Sequence, residues 1–225
     1  MNFLYSILSS ILGGLLLIII IALISKKAKE IFMLIISNLL DSDLRYVYKD
    51  KIEVKDDLHQ ELINATFVKI LTSRGNDFQQ DVFMPIFNES NRYLEVNILM
   101  PNPYYFYQDD WFNQRELELK SFDKSFGKGV LKEQAKVNIQ YLMDQFKKNI
   151  KLKLHQYPLI GRLIITDRYI FFTPMHRALY IRRSKTYKYA AGGDMYRYYL
   201  RLFDQLWSSA ETYKEVIKHN NNIAN

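Results

Sequence analysis

Arg177, Arg182, Arg183, Lys185 and Lys188 are interleaved with Tyr180, Tyr187 and Tyr189, and Arg197 and Arg201 follow within a few turns of chain. Cations at this spacing neutralise phosphates while the rings between them stack on bases, as single-strand binders do. The same surface can rest on anionic lipid, at roughly 1 kcal/mol per Lys or Arg, or dock a protein. It also fits a solvated charged loop with tyrosines packed beneath, and the sequence leaves these readings open. A second candidate pair is Arg162 and Asp167. The planar guanidinium of Arg162 suits a phosphate, and the bland alternative is one strand residue and one turn residue.

Other chemistries are poorly supplied. The chain has no cysteine, so thiolate nucleophiles and zinc ribbons are excluded. Its four histidines fall in no metal-binding spacing. No metal or cofactor is expected. His155 and His176 are the histidines nearest to Arg162 and so the candidates for a general base or nucleophile. Gly127-Lys128-Gly129 reads as a loop before a helix rather than a phosphate cradle, and Asp109 and Asp110 beside Trp111 read as helix-capping residues.

The elements that must position these residues begin with an apolar run. Residues 1 to 25 carry no charged side chain, and Lys26, Lys27 and Lys29 close the run. A stretch of about 22 apolar residues is long enough for the ~30 Å hydrocarbon layer. The reading is therefore one transmembrane helix over 1–25. A cleavable signal peptide fits less well, because basic residues before the run and a small-x-small site after it are both missing. The lysines on the C-terminal side place the rest of the chain in the cytoplasm and the N-terminus outside. Ser6, Ser10, Gly13 and Gly14 have small-xxx-small spacing, a route to self-association between membrane helices.

Residues 26–57 read as a juxtamembrane amphipathic segment and a polar connector, with Ile31 to Leu40 too short to span. Residues 58–218 are enough for one domain, and 219–225 form a polar tail. With 15% aromatic residues, the domain has the material for a packed core. The net charge of +7 falls wholly outside the apolar run, which suits an anionic leaflet or nucleic acid. Strands are predicted over Phe67–Leu71, Leu94–Met100, Ile150–Leu154, Arg162–Thr166 and Tyr169–Thr173, the last two as a hairpin about Asp167-Arg168. Helices are predicted through Val82–Phe87, over Val130–Lys148, and from Asp194 to about Lys218. This order is an α/β pattern, a mixed sheet flanked by helices.

One run in that pattern has a further significance. Ile160-Gly161-Arg162-Leu163-Ile164-Ile165-Thr166-Asp167, set after a strand ending in Ser-Arg-Gly and another ending in Leu-Met-Pro-Asn-Pro, resembles the His-x-Lys-x-x-x-x-Asp signature of a phospholipase-D-like half-domain. The resemblance covers about residues 60 to 215. It implies that Ile160 stands at the nucleophile position, Arg162 at the lysine position and Asp167 at the aspartate position. Isoleucine has no lone pair to attack phosphorus, so the expectation is a domain without catalysis.

Small bacterial proteins pairing membrane helices with such degenerate domains are similar to effectors of antiphage defence, retron systems included. The resemblance implies a chain at the bacterial inner membrane, held inactive by a reverse transcriptase with its RNA–DNA product and disrupting the membrane on release. Its partners would be membrane lipid, further copies of its own helix, and that complex. The alternatives from other classes are a membrane-tethered phosphodiesterase, nuclease or phospholipase, working through unrecognised residues, and a passive scaffold.

Overall fold

The computed structural model describes residues 2–87, 94–104, 111–124, 126–145, 149–176, 180 and 183–223, without the side chains of 2–4, 21–24, 26 and 219–223. Two helices come first, α1 (Asn2–Ile24) and α2 (Lys26–Leu39). Between them Ser25 is extended (φ −107°, ψ 128°) and its hydroxyl accepts from the Ala28 amide, so the chain stops one helix and caps the next.

This N-terminal region corrects the expected anchor. Among the described residues, no helix is long and apolar enough to cross a membrane. The transmembrane part of the fold class is thereby overturned, and with it the single-pass inner-membrane placement with an outward N-terminus. Ser6, Ser10, Gly13 and Gly14 are exposed on α1, with no other group within 4 Å of a β-carbon built on either glycine. Lys27 is exposed and Lys29 half-buried on α2, and the Lys26 side chain lies outside the described residues. Of the Ile31 to Leu40 stretch, all but the capping Leu40 falls on α2, which packs against α1 and the first strand.

The remainder is an eight-stranded mixed sheet between helices. In chain order the elements are β1 (Leu44–Tyr48), α3 (Lys55–Asn64), β2 (Phe67–Leu71), two short 3-10 turns and α4 (Met84–Phe87), and β3 (Glu95–Pro101). Then come α5 (Trp111–Lys120), α6 (Val130–Gln145), β4 (Ile150–His155), β5 (Gly161–Thr166), β6 (Tyr169–Pro174) and β7 (Thr186–Ala190). The chain closes with α7 (Asp194–Ser209), β8 (Glu211–Thr212) and α8 (Tyr213–Ile223). The strand order is β1-β7-β6-β5-β2-β3-β4-β8, with β2, β3 and β4 parallel and the other pairings antiparallel.

Period-two alternation sends strand side chains to two faces. Val68, Ile70, Val96, Ile98, Met100 and Ile164 join Leu58, Leu62, Phe78, Phe83, Ile139 and Leu142 from the helices and 3-10 turns on one side. Leu71, Leu99, Leu163, Ile165 and Ile170 meet Tyr196, Tyr199 and Phe203 of α7 on the other. Covered on both faces, β5 is buried at every position, which is why it reads as an unbroken apolar run after Arg162.

Several sequence expectations change. The polar connector contains β1, an edge strand paired to β7, and the loop expected to carry the basic cluster contains β7 itself. The expected helix through Val82–Phe87 is a 3-10 turn running into α4. On α6 Leu131 and Leu142 are buried and Val137 is exposed. The single terminal helix breaks at Ala210, where the chain returns to pair with β4. The 219–225 tail continues α8 as far as Ile223.

Candidate functional site

Arg162 opens β5 on the sheet face shared with Ile164 and Thr166. Its side chain is buried, 4% exposed, and its Nη1 donates to the Asp77 carboxylate at 2.6 Å. Asp77 lies just beyond Thr72-Ser73-Arg74-Gly75, the turn that leaves β2. That turn requires Gly75, whose φ of 72° is left-handed and whose missing β-carbon leaves room beside Phe78 and Met100. Lys51, from the connection after β1, also pairs with Asp77. Burial works to raise the Asp77 pKa, but the Arg162 and Lys51 charges and hydrogen bonds outweigh it and hold the carboxyl below its ordinary range.

These groups line a cavity of about 440 Å³ at the carboxyl end of β2. Crevices outside the carboxyl ends of strands, where the sheet changes direction, are where α/β folds place ligands. Four cations face it, Lys51, Arg74, Arg115 and Arg162, against Asp77 and Asp123. The opposite wall carries Trp111, Leu119, Phe126, Leu131 and Tyr180. Arg74 donates to Gln134 on α6 at 2.6 Å, and Arg115 donates to Glu118 at 2.7 Å and to the His176 carbonyl at 2.9 Å. The Arg162 Nε is buried and meets no hydrogen-bond acceptor among the described residues. Lys51 and Arg162 share Asp77, and Arg115 pairs with Glu118, so the lining concentrates cationic donors of the kind that suits an anion.

The structure separates the two residues of the degenerate signature. Asp167 sits past the far end of β5, where its carboxylate accepts from the Thr66 amide at 3.1 Å and secures the start of β2. It is therefore remote from the cavity, and phosphate contact falls to Arg162 alone of the two. Ile160 is half exposed, and its carbonyl accepts from the amide of Met175, a cavity-lining residue.

The candidate histidines do not converge on Arg162. His155 ends β4, with β2 and β3 lying between it and β5; three strand spacings are about 14 Å. It is buried, and burial pushes its pKa down to about 4, so it is neutral near pH 7. His176 is exposed and touches the site only through its backbone carbonyl. Among the described residues no histidine lines the cavity, and no group of His, Cys, Asp and Glu is placed to hold a metal.

The basic cluster does not form one surface. Arg177 and Arg182 lie outside the described residues. Lys188 on β7 covers the Tyr169 ring at 4.2 Å and approaches Phe171 at 5.5 Å, the face opposite α7. Its neighbour Tyr189 points the other way, toward Tyr199 of α7. Arg197 and Arg201 are exposed on α7, the former paired with Asp194, while Arg183 and Lys185 are exposed just before β7. The sheet thus divides Lys188 from the α7 arginines.

Sequence reasoning missed Lys51, Arg74, Asp77, Arg115 and Trp111 as site residues. The available signal was the charged turn Arg74-Gly75-Asn76-Asp77 directly after a buried strand.

No family model matches the chain, and no curated protein matches it. Solved structures with a similar chain course include TrmBL2, an archaeal chromatin protein with a novel mode of DNA binding, at 14% identity and a TM-score of 0.46. That similarity covers 83% of this chain and 62% of the other, so this chain spans less than two thirds of that protein. Nuc from Salmonella typhimurium, a phospholipase D family member, is similar at 11% identity and a TM-score of 0.44, covering 75% of this chain and 96% of its own. NucT from Helicobacter pylori is similar at 14% identity and a TM-score of 0.46, covering 75% and 98%.

Proposed function

We propose that this chain is a non-catalytic phospholipase-D-like module that binds a phosphate-bearing ligand at Arg162. The observation that supports the reading most directly is the largely buried Arg162 side chain lining a cavity beside Lys51, Arg74 and Arg115, while the neighbouring nucleophile position is isoleucine. A guanidinium can hold a phosphate, but it cannot replace the nucleophile of a covalent phosphoryl intermediate. Asp77 stands where an anion would compete for Arg162, so ligand and carboxylate share the guanidinium or exchange on it.

In the antiphage-effector setting that the sequence resembles, a regulatory partner, such as a reverse transcriptase with its RNA–DNA product, would hold the chain inactive from outside the cavity. The exposed Arg183, Lys185, Arg197 and Arg201 would add non-specific attraction to such a polyanion.

Two measurements on the full chain test the reading. Hydrolysis of bis-p-nitrophenyl phosphate should not exceed the buffer rate. Calorimetric titration with inorganic phosphate should show binding that disappears when Arg162→Met and Asp77→Leu are made together, a change that removes the ion pair without stranding either charge. Turnover by the purified chain, or phosphate binding unaffected by the double change, would refute it.

A further inference from the structure

The cavity carries a second chemistry beside its cations. Trp111 and Leu119 come from α5, Leu131 from the start of α6, and Phe126 and Tyr180 from the connections on that side. The indole of Trp111 meets the ring of Phe112 edge-on at 5.0 Å, which fixes its plane. Tyr180 contacts Phe122 edge-on at 5.2 Å and Phe126 at 6.3 Å, and hydrogen-bonds to Asp123. These aromatic residues are partly buried against Phe112, Leu119, Leu131 and Ala135, so they present stiff, half-covered rings to the cavity. Inorganic phosphate alone would leave this wall uncovered.

From this juxtaposition we infer that the ligand is a nucleoside phosphate of mononucleotide size, held by its phosphate at Arg162 and by its base against the aromatic wall. The inference rests on the phosphate-binding reading above and adds the base. A volume of about 440 Å³ suits one nucleotide, and it is lined by α5, the start of α6 and the turn after β2. Stacking of a base on an aromatic side chain is worth about 1–3 kcal/mol and tolerates any base. Arg74 and Arg115 are held in the lining by Gln134 and Glu118, so their positive field is fixed beside the phosphate place without further ordering.

The chain has two tryptophans, and Trp207 stacks on Phe203 of α7, away from the cavity. In the full chain carrying Trp207→Phe, emission therefore reports on Trp111 alone. The probes are adenosine 5′-monophosphate, guanosine 5′-monophosphate, ribose 5-phosphate, adenosine, and a 20-nucleotide single strand. Both mononucleotides should quench Trp111 and bind at least 10-fold more tightly than ribose 5-phosphate or adenosine. Adding Arg162→Met with Asp77→Leu should abolish the mononucleotide signal, with the far-ultraviolet circular dichroism unchanged. Lys51→Met, at a half-exposed position, should weaken binding several-fold and serves if the double variant does not fold.

Ribose 5-phosphate binding as tightly as the nucleotides would overturn the inference and leave the phosphate reading standing. Adenosine binding as tightly as its phosphate would overturn both, as would no binding by any probe. A single strand bound more tightly than any mononucleotide would replace the inference with polymer recognition.

Discussion

Arg162 and Asp77 meet at 2.6 Å across the join between β5 and the turn after β2, and Arg162 is the more buried partner, at 4% exposure against 22%. A buried charge whose counter-charge is removed costs about 3–5 kcal/mol. Asp77→Asn should therefore lower unfolding stability by about 3 kcal/mol, read from the urea midpoint, while raising phosphate affinity several-fold by removing a competing anion. Unchanged or weaker phosphate binding in the variant would show that Asp77 does not occupy the anion's place.

The same carboxylate has an acid signature. Its folded pKa lies below its unfolded value, so its contribution is complete above the ordinary aspartate range near pH 4 and is lost as pH falls through the folded value. Denaturation curves should accordingly differ most between wild type and Asp77→Asn above pH 5 and converge in strong acid.

His155 should act in a different window. Burial lowers its folded pKa from 6.5 to about 4, so the unfolded chain takes up a proton first as pH falls. The stability associated with neutral His155 is full above about pH 6.5 and drops between there and pH 4, by a few kcal/mol at about 1.4 kcal/mol per pK unit. His155→Leu should flatten this limb while leaving phosphate binding at pH 7 unchanged. A loss of binding in the variant would contradict the separation of β4 from the cavity.

Gly161 governs how Arg162 is presented. A β-carbon at this residue would lie 2.5 Å from the Thr173 carbonyl oxygen and 3.0 Å from the Pro174 Cα, both backbone atoms of β6. Gly161→Ala should push the two strands apart, cost about 1–3 kcal/mol, and weaken phosphate binding together with stability. Full stability in this variant would mean that the β5–β6 spacing is not fixed here.

Glu116 links α5 to α6 behind the aromatic wall. Its carboxylate accepts from the amides of Gly129 and Leu131, each at 2.6 Å, at the start of α6. Glu116→Ala leaves buried donors without an acceptor and should cost about 2–3 kcal/mol. Thermal unfolding measures the loss, and Trp111 emission should shift to the red as the wall loosens.

What could be read from the sequence follows physical lines. β2, β3, β5 and β6 are covered on both faces or nearly so and announce themselves as apolar runs, while β4 shows the alternation of a strand covered on one face. β1 and β7 are edge-side strands in which Arg45 or Lys188 alternates with tyrosines, and such strands imitate charged connectors. The break at Ala210 follows from a two-residue pairing with β4 that no local pattern encodes. Arg162 was legible because the signature spacing is local. Its partners were not, because Lys51, Asp77, and the α5 pair Arg115 and Trp111 reach the cavity from three separate parts of the chain and only the tertiary structure unites them. The apolar run over 1–25 was read by length alone, and the described helix is not long and apolar enough to bear that reading out.

The strand order also bears on how the molecule is made. β1 leaves the ribosome well before its partner β7, which is synthesised only after five other strands and the helices α3, α5 and α6 have followed. Until then the nascent chain carries an unzipped ladder edge beside the greasy helices α1 and α2, a combination that invites aggregation. Efficient production should thus depend on chaperone occupancy during translation, and sheet closure should be the slow phase of refolding.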